Sequence, residues 1–115
     1  MSYKMFIDDE RDPPNGEADW IVCRNAQSVF YQISTRGFPS FISFDHDLGE
    51  CDMTGYDIVK DLVEEDLSRD GRFIPADFSF YVHSQNPVGA ENISKLLLNY
   101  LKHRNQNTSN DKEQG

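Results

Sequence analysis

The stretch Phe41–Gly49, FISFDHDLG, determines how the rest of the chain is interpreted. Its first four residues have the aromatic and β-branched character of a strand, and the ionisable residues Asp45, His46 and Asp47 follow directly. Three ionisable side chains in a row do not suit the middle of a buried strand, whereas open α/β sheets place their sites at the carboxyl ends of strands. A helix-opening sequence, TGYD, begins at Thr54. The stretch therefore predicts a strand, an acidic site loop and a helix.

Further segments along the chain have strand composition or helical periodicity. Strands are predicted at 4–7, 20–23, 41–44 and 78–82, and helices after Asn25, from Gly55 and from Pro87. The order β, β, α, β, α, β, α with right-handed crossovers predicts an α/β fold. We expect a mainly parallel four-stranded, flavodoxin-like sheet, flanked by about three helices on both of its faces.

Two segments depart from this alternation. Between the first two strands, Pro13, Pro14 and Gly16 leave no room for a helix, so the sheet should be thinly covered on one face there. At the other end, residues 105–115 (NQNTSNDKEQG) have no apolar side chain to bury. The sequence therefore predicts one domain over residues 1–104 and a disordered tail over 105–115.

Composition restricts the classes of function. The net charge of −9 argues against nonspecific binding to nucleic acid or to an anionic membrane, and no apolar run approaches the roughly 20 residues of a membrane span. Cys23 and Cys51 have no zinc-ligand spacing, so we expect reduced thiols and a cytoplasmic location. These properties fit a small soluble protein with a small ligand, and an anionic ligand would need a metal or local cations.

Acidic residues follow the predicted strands at the end where parallel strands converge. Asp8 and Asp9 follow the first strand, and Asp45 and Asp47 follow the third. Carboxylates a few ångströms apart repel one another, and a hard divalent cation of the Mg²⁺ type relieves that repulsion. We therefore predict a metal site on Asp8, Asp9 and Asp45. The alternative is that these acids are solvated turn formers, as Asp and Glu in loops commonly are.

Two histidines accompany the acids. His46 lies between two aspartates and His83 ends the fourth strand. A single histidine at a strand end is often structural, but two beside acids suit proton transfer near neutral pH. We predict catalytic roles for His46 and His83, as general base and general acid in either order, with their side chains in one pocket with Ser84. Asp47 would orient a histidine.

Several residues could bind an anion near these groups. Arg11 and Arg24 are the available cations, although a salt bridge to the many acids is a nearly equal alternative for Arg11. Ser84 could bind a phosphate oxygen or cap a helix. Asn86 and Pro87 open a helix whose backbone N–H groups can hold an anion. The predicted ligand is a small phosphorylated molecule, bound through Arg11, Arg24, Ser84 and Asn86.

The motifs together resemble a known family. The acids, with Ser84, are similar to the acidic pocket of response-regulator receiver domains, and a larger set resembles the cyclic-phosphate-processing receiver-like family: DDERDPP at 8–14, Trp20–Arg24, FDHDLG at 44–49, TGYD at 54–57 and HSQNPVGAEN at 83–92. The resemblance covers about residues 4–103. It implies a receiver-like domain over 1–104 that acts on a cyclic phosphate.

The chain also departs from a complete receiver. No fifth strand with a lysine follows Ser84, and the helix between the first two strands is missing. Both losses argue against a phosphorylation-driven switch. Three readings follow: metal-assisted hydrolysis of a cyclic phosphate, a non-catalytic binding module for a cyclic nucleotide or phosphorylated ligand, and a degenerate receiver that serves as an interaction domain, with Asp45 as a vestigial phosphoacceptor.

Overall fold

The computed structural model describes residues 3–13, 20–48 and 53–114, with side chains as far as Arg104. The described strands and helices follow the predicted order: β1 Lys4–Ile7, β2 Ile21–Cys23, α1 Ala26–Arg36, β3 Phe41–Phe44, α2 Gly55–Ser68, β4 Ser79–Val82 and α3 Pro87–Gln114. β2 and β4 each begin one residue later than predicted. Cys51 lies outside the described residues, and Cys23 is a free, buried thiol.

The four strands form one parallel sheet in the order β2-β1-β3-β4. This arrangement confirms the predicted receiver-like α/β fold. Hydrogen bonds between the strands continue one residue beyond their ends. Asp8 N–H donates to Cys23 O (3.1 Å), and Asp45 N–H donates to Ile7 O (2.9 Å). His83 N–H likewise donates to Phe44 O (2.9 Å). The first residues after β1, β3 and β4 are therefore level at the carboxyl edge of the sheet.

All three helices lie on one face of the sheet. The chain crosses from β2 to β3 and from β3 to β4 in the same direction, so two right-handed crossovers place α1 and α2 on the same side. α3 packs against α2 and therefore lies on the same face of the sheet as α1 and α2. The connection from β1 to β2 runs the other way and would cover the second face, but its described residues contain no helix. The fold therefore differs from the expectation of helices on both faces.

Side-chain alternation along the strands divides the sheet residues into two groups. One group, with Met5, Ile7, Ile42 and Phe44, packs against the helices in a core that also contains Val29, Ile33, Ile58, Val59, Leu62, Ile93 and Leu97. The other group projects from the opposite side and lines a shallow depression. We call this side the open face. Its described lining comprises Lys4, Phe6, Arg11, Asp12, Trp20, Phe41, Ser43, Tyr81 and His83.

Side-chain caps fix where the helices begin. Asn25 Oδ1 accepts the N–H of Ser28 (2.8 Å) at the start of α1, and Thr54 Oγ1 accepts the N–H of Asp57 (3.1 Å) at the start of α2. Both are capping boxes, because the third helical side chain returns a bond to the cap backbone. Each cap satisfies backbone donors that have no partner within the helix.

A buried carboxylate joins the end of α2 to α3. Asp66 is fully buried, and its Oδ1 accepts the N–H groups of Phe73 (2.9 Å) and Ile74 (2.8 Å). Its Oδ2 accepts the hydroxyl of Tyr100 and lies 3.0 Å from Nη1 of Arg104. Burial raises the pKa of Asp66, but these bonds outweigh burial and lower it below the usual range. One buried anion therefore holds the loop after α2 and the middle of α3 together.

The last helix is longer than predicted. Its backbone is helical to Gln114, whereas the sequence analysis expects a disordered tail from residue 105. The difference has a local reason, since no proline or glycine interrupts the chain between Gly89 and Gly115. No helix in the described part of the chain is both long and apolar enough to cross a bilayer.

Candidate functional site

Acidic side chains converge at the carboxyl edge of the sheet. Asp8, Asp9 and Asp45 each place one carboxylate oxygen within 4.8 Å of the others. They line a small cavity of about 210 Å³, together with Asp47. Among the residues that the structure describes, the lining carries five carboxyl groups and one cation: Asp8, Asp9, Glu10, Asp45 and Asp47 with Arg11, beside the polar Ser84 and Gln85. We call this the acidic cavity.

Asp8 is held as an anion by its surroundings. It is 1% exposed, and its Oδ1 accepts the backbone N–H groups of Glu10 and Arg11, both at 2.9 Å. Its Oδ2 lies 3.0 Å from His83 Nε2 and 3.3 Å from Arg11 Nε. Burial raises the pKa of Asp8, but the hydrogen bonds and the charge of Arg11 outweigh it and lower the pKa below its usual range.

Asp45 is shifted in the opposite direction. It is 5% exposed, and burial is the main cause that raises its pKa, with the nearby charge of Asp8 as the second. Hydrogen bonds from the N–H of His46 (2.8 Å) and the hydroxyl of Ser84 only partly offset these effects. Asp8 is thus held as an anion, whereas ionisation of the adjacent Asp45 is unfavourable. A bound cation would reduce the repulsion between the two carboxylates.

The donor set fits a hard divalent cation. All three converging groups offer oxygen, which Mg²⁺ and Ca²⁺ prefer, and none offers the nitrogen or sulfur that favours zinc. Burial, and after it the charge of Asp8, raise the pKa of Asp45, and a cation bound between the two carboxylates would offset both effects. Asp8, Asp9 and Asp45 would therefore hold the ion.

His83 lies beside this cavity but faces the open face. Its Nε2 donates to Asp8 Oδ2 (3.0 Å), and its Nδ1 lies 2.7 Å from the hydroxyl of Ser43. Its ring is stacked on Phe6, with centroids 4.5 Å apart and planes within 4°. Both ring nitrogens therefore have protein partners, so His83 is placed to fix Asp8 rather than to exchange a proton directly with a ligand.

His46 lies on the helical side of the sheet. Its Nδ1 is 2.8 Å from Asp47 Oδ1, the contact through which Asp47 would orient this ring. The ring packs against the first turn of α3, where a Cβ on Gly89 would come within 2.4 Å of it. Among the described residues Nε2 has no hydrogen-bond partner. Of the two histidines, His46 is the one with a nitrogen free for proton transfer.

The sequence analysis predicts that the side chains of His46 and His83 share one pocket with Ser84. In the structure they do not. Neither imidazole lines the acidic cavity. The reason is strand alternation: His83 continues the side of Tyr81 and projects to the open face, whereas His46 follows Asp45 by one residue and projects to the helices. The two histidines are both close to the acidic residues in the sequence or in the sheet, but their imidazole rings lie on opposite sides of the sheet.

The two arginines have different surroundings. Arg24 donates from Nη1 to the backbone oxygens of Arg11 (2.6 Å) and Asp8 (3.3 Å), and its Nη2 pairs with Asp12 Oδ1 (2.7 Å). These contacts fasten the loop after β1, which favours a structural role over the predicted phosphate contact. Arg11 is about half exposed and lines both the acidic cavity and the open face, so it is the better placed cation for a phosphate.

The polar residues before α3 are also divided between roles. Ser84 lines the acidic cavity, and its hydroxyl accepts the N–H of Asn86 (3.1 Å). Asn86 Oδ1 accepts the N–H of Gly89 (3.0 Å), so this side chain caps α3 and does not line the cavity. Gln85 lines the cavity and was missed by sequence reasoning, because its neighbours carried the stronger chemical signals.

Two further contributors were missed. Ser43 contacts His83, and the signal was a lone hydroxyl between Ile42 and Phe44, two residues before Asp45. Gly55 lets α2 approach β3, because a Cβ there would lie 2.1 Å from the backbone oxygen of Asp45. The TGYD motif was noticed in the sequence, but the need for a glycine is visible only from the packing of α2 on the site loop.

Fold and site together define a class: a receiver-like α/β domain with an acidic cavity at the carboxyl edge of a parallel sheet. The family model of the cyclic-phosphate processing receiver domain matches residues 3–99. The chain therefore belongs to this family, and membership supports a role in the processing of cyclic phosphates.

Comparison of structures supports the fold alone. One similar solved structure is a chain in which amino acids 181–211 of the yeast Spc42 trimeric coiled coil are fused to another structure. The similarity covers 99% of this chain and 85% of that one, with a TM-score of 0.52 and 12% sequence identity. No curated protein matches the sequence.

Proposed function

We propose that the protein hydrolyses a cyclic phosphate ester with the help of a divalent cation at the acidic cavity. The observation that carries this proposal is the convergence of Asp8, Asp9 and Asp45 within 4.8 Å beside Ser84 and Arg11. Such a cation supplies Lewis-acid polarisation of a phosphoryl oxygen and lowers the pKa of a water molecule. The family to which the chain belongs supports a cyclic phosphate as the substrate.

The protein groups would divide the remaining work. Arg11 and Ser84 would bind non-bridging phosphate oxygens, since both line the cavity. His46, oriented by Asp47 through Nδ1, would move a proton at Nε2, which has no partner among the described residues. His83 would keep Asp8 ionised and in position through the bond at 3.0 Å. The two histidines thus have different roles, in place of the symmetrical acid and base pair expected from the sequence.

Kinetics of histidine variants test this division. His46→Ala should lower kcat by about 10²–10⁴, the usual worth of a positioned acid or base, with the affinity for the cation nearly unchanged. His83→Ala should weaken cation binding, because Asp8 loses the donor at Oδ2. Turnover of a panel of cyclic phosphates, followed by mass spectrometry at several Mg²⁺ concentrations, separates the two effects. His103→Ala, at an exposed position of α3, is the control.

A second function is favoured by one observation. Neither histidine lines the acidic cavity, and His83 has both nitrogens bound to protein atoms. A module that binds a cyclic nucleotide or phosphorylated ligand without turnover needs the cavity but no proton transfer. If the parent protein binds members of the panel and converts none of them with any divalent cation, this second function replaces the first.

A further inference from the structure

β4 is an edge strand whose outer side pairs with no strand in the described part of the chain. The sheet order places β3 on one side of it and no described strand on the other. β2, the opposite edge, is only three residues long, and a very short edge strand is a common protection against unwanted pairing. Residues 78–82, FSFYV, contain neither a charge nor a proline. The β4 edge therefore lacks the features that usually keep a sheet from accepting another strand.

The backbone groups at this edge follow from the bonds on the other side of β4. The amides of Ser79 and His83 donate toward β3, at 3.1 Å and 2.9 Å. Because the direction of the backbone groups alternates along a strand, the N–H and C=O groups of Phe80 and Val82 point to the free edge. An added strand would therefore exchange its hydrogen bonds with these two residues.

An apolar groove of about 550 Å³ borders the same edge, between β4 and α3. Leu98 lines this groove from α3 and is 57% exposed. Tyr81, whose side chain lies on the open face, is 61% exposed. Side chains of a strand alternate between its two faces, so a strand paired with β4 would place one set in the groove and the other beside Tyr81. Backbone and side-chain surfaces thus both fit an extended polypeptide.

The charges around the groove favour a basic segment. Among the described residues that line the groove, Glu91 is the one that carries a charge, and it lies near the start of α3, by the carboxyl end of β4. Asp77 is exposed and lies just before β4, at the other end of the edge. Lys95 pairs with Glu91 at 2.9 Å, but the chain as a whole has a net charge of −9. A partner with basic residues at both ends of its strand complements this arrangement better than an acidic one.

We propose that the β4 edge binds an extended segment of a partner protein as a fifth strand, with apolar side chains at alternate positions and basic residues at its ends. The segment would pair with Phe80 and Val82, and its apolar side chains would fill the groove beside Leu98. The lining of this groove shares no residue with that of the acidic cavity, so the proposal is independent of the proposed function.

Amide hydrogen exchange, read residue by residue, tests the pairing. The probe is the acetylated and amidated peptide KTVTVTVK, which combines strand-forming residues, alternating apolar side chains and a lysine at each end. In the free protein, the amides of Phe80 and Val82 should exchange faster than that of Tyr81. The peptide should bind saturably below about 1 mM, the weak end of specific affinities, and slow the first two amides at least 10-fold while changing Tyr81 much less. This alternation is particular to strand pairing.

Variants then locate the groove. Leu98→Gln should weaken peptide binding roughly 10-fold, because an amide without a partner replaces apolar surface. Leu67→Gln is the matched control, since Leu67 is 60% exposed, lies on α2 and does not line the groove. Val82→Pro removes a donor that faces the edge rather than β3, and it should also weaken binding. The peptide ETVTVTVE, with reversed charges, should bind more weakly than the lysine peptide.

Several results would overturn the proposal. One is the absence of saturable binding of the lysine peptide up to about 1 mM. Another is equal affinity for the peptide in Leu98→Gln and Leu67→Gln, and equal affinity of the parent for the two peptides would overturn the basic character of the partner. Protection of Phe80 and Val82 that rises with protein concentration, without peptide, would make a second copy the occupant. Turnover of cyclic phosphates should be unchanged in Leu98→Gln, so the hydrolase and the strand site stand or fall separately.

Discussion

Asp45 is the residue of the acidic cavity whose ionisation is opposed by its surroundings. Burial and the charge of Asp8 raise its pKa above the value in the unfolded chain. At a pH above the folded pKa both states are ionised, and the native state carries the full penalty. As the pH falls through the folded pKa towards the unfolded one, the native state takes up its proton first and the penalty disappears. Asp45 therefore lowers the free energy of unfolding at neutral pH and not in acid.

Asp45→Asn should for this reason stabilise the protein when no divalent cation is present. The amide keeps the acceptor for the N–H of His46 and removes the charge. At neutral pH we expect a gain on the order of 1 kcal/mol, or about 4–8 °C in Tm for a domain of this size. The gain should vanish below the unfolded pKa. Thermal unfolding followed by circular dichroism at several pH values measures it.

The same variant tests the metal site. Mg²⁺, Mn²⁺ or Ca²⁺ at about 100 times its dissociation constant should stabilise the parent by roughly 2.7 kcal/mol, and Asp45→Asn should lose most of this increase. Asp77→Asn is the matched control, because Asp77 is exposed and lies before β4, at the opposite edge of the sheet. A cation effect that survives in Asp45→Asn, or no effect in the parent, contradicts the proposed site.

At the level of elements, α2 and α3 are joined through Asp66. Its lowered pKa means that it stabilises the fold at pH values above the unfolded pKa, and that this contribution is lost as the pH falls through the folded pKa. Burial and the bond to Asp66 raise the pKa of Tyr100 to about 12, so the phenol remains a donor throughout the useful pH range. The pair holds the end of α2 against the middle of α3.

Tyr100→Phe should therefore lower the free energy of unfolding by about 1.5–3 kcal/mol, the usual worth of a hydrogen bond to a charged group. The ring remains to pack, and only the hydroxyl is lost. Tyr31→Phe is the control, because Tyr31 is 62% exposed and should lose little. Urea unfolding of both variants at neutral pH gives the difference. Equal stability of the two variants would show that the hydroxyl of Tyr100 contributes nothing.

At the scale of the whole molecule, Arg104 connects α3 to the buried carboxylate of Asp66. Its Nη1 lies 3.0 Å from both Asp66 Oδ2 and the backbone oxygen of Ile74, so it closes the network from α3. The sequence after it, NQNTSNDKEQG, offers no apolar side chain. Two truncations that differ by one residue therefore probe very different interactions.

Truncation after Arg104 should leave stability and activity within experimental error. Truncation after His103 removes Arg104 and should cost about 3 kcal/mol, since it leaves the buried charge of Asp66 without its cation. Urea unfolding and the cyclic-phosphate assay compare the two chains with the parent. A clear loss on the longer truncation product would show that residues 105–115 contribute contacts of their own.

Local sequence was sufficient for the elements and for the acidic edge. Strand composition and the caps Asn25 and Thr54 are short-range properties of the sequence. The order β2-β1-β3-β4 within the sheet was not predicted and is known from the structure. The convergence of Asp8 and Asp45 also follows from the sequence. Each is the first residue after its strand, and parallel strands in register bring these residues to the same edge of the sheet. These features depend on the identity and spacing of residues along the chain, which the sequence contains in full.

Only the tertiary structure decided on which side of the sheet each polar side chain lies and which group it contacts. His46 and His83 look alike in sequence, yet strand alternation sends one to the helices and one to the open face. Arg24 was predicted to contact a ligand, and Asp66 was not singled out in the sequence, yet both side chains hold distant backbone atoms in place. Such roles depend on which groups meet across the fold, and that is set by long-range packing that no local pattern records.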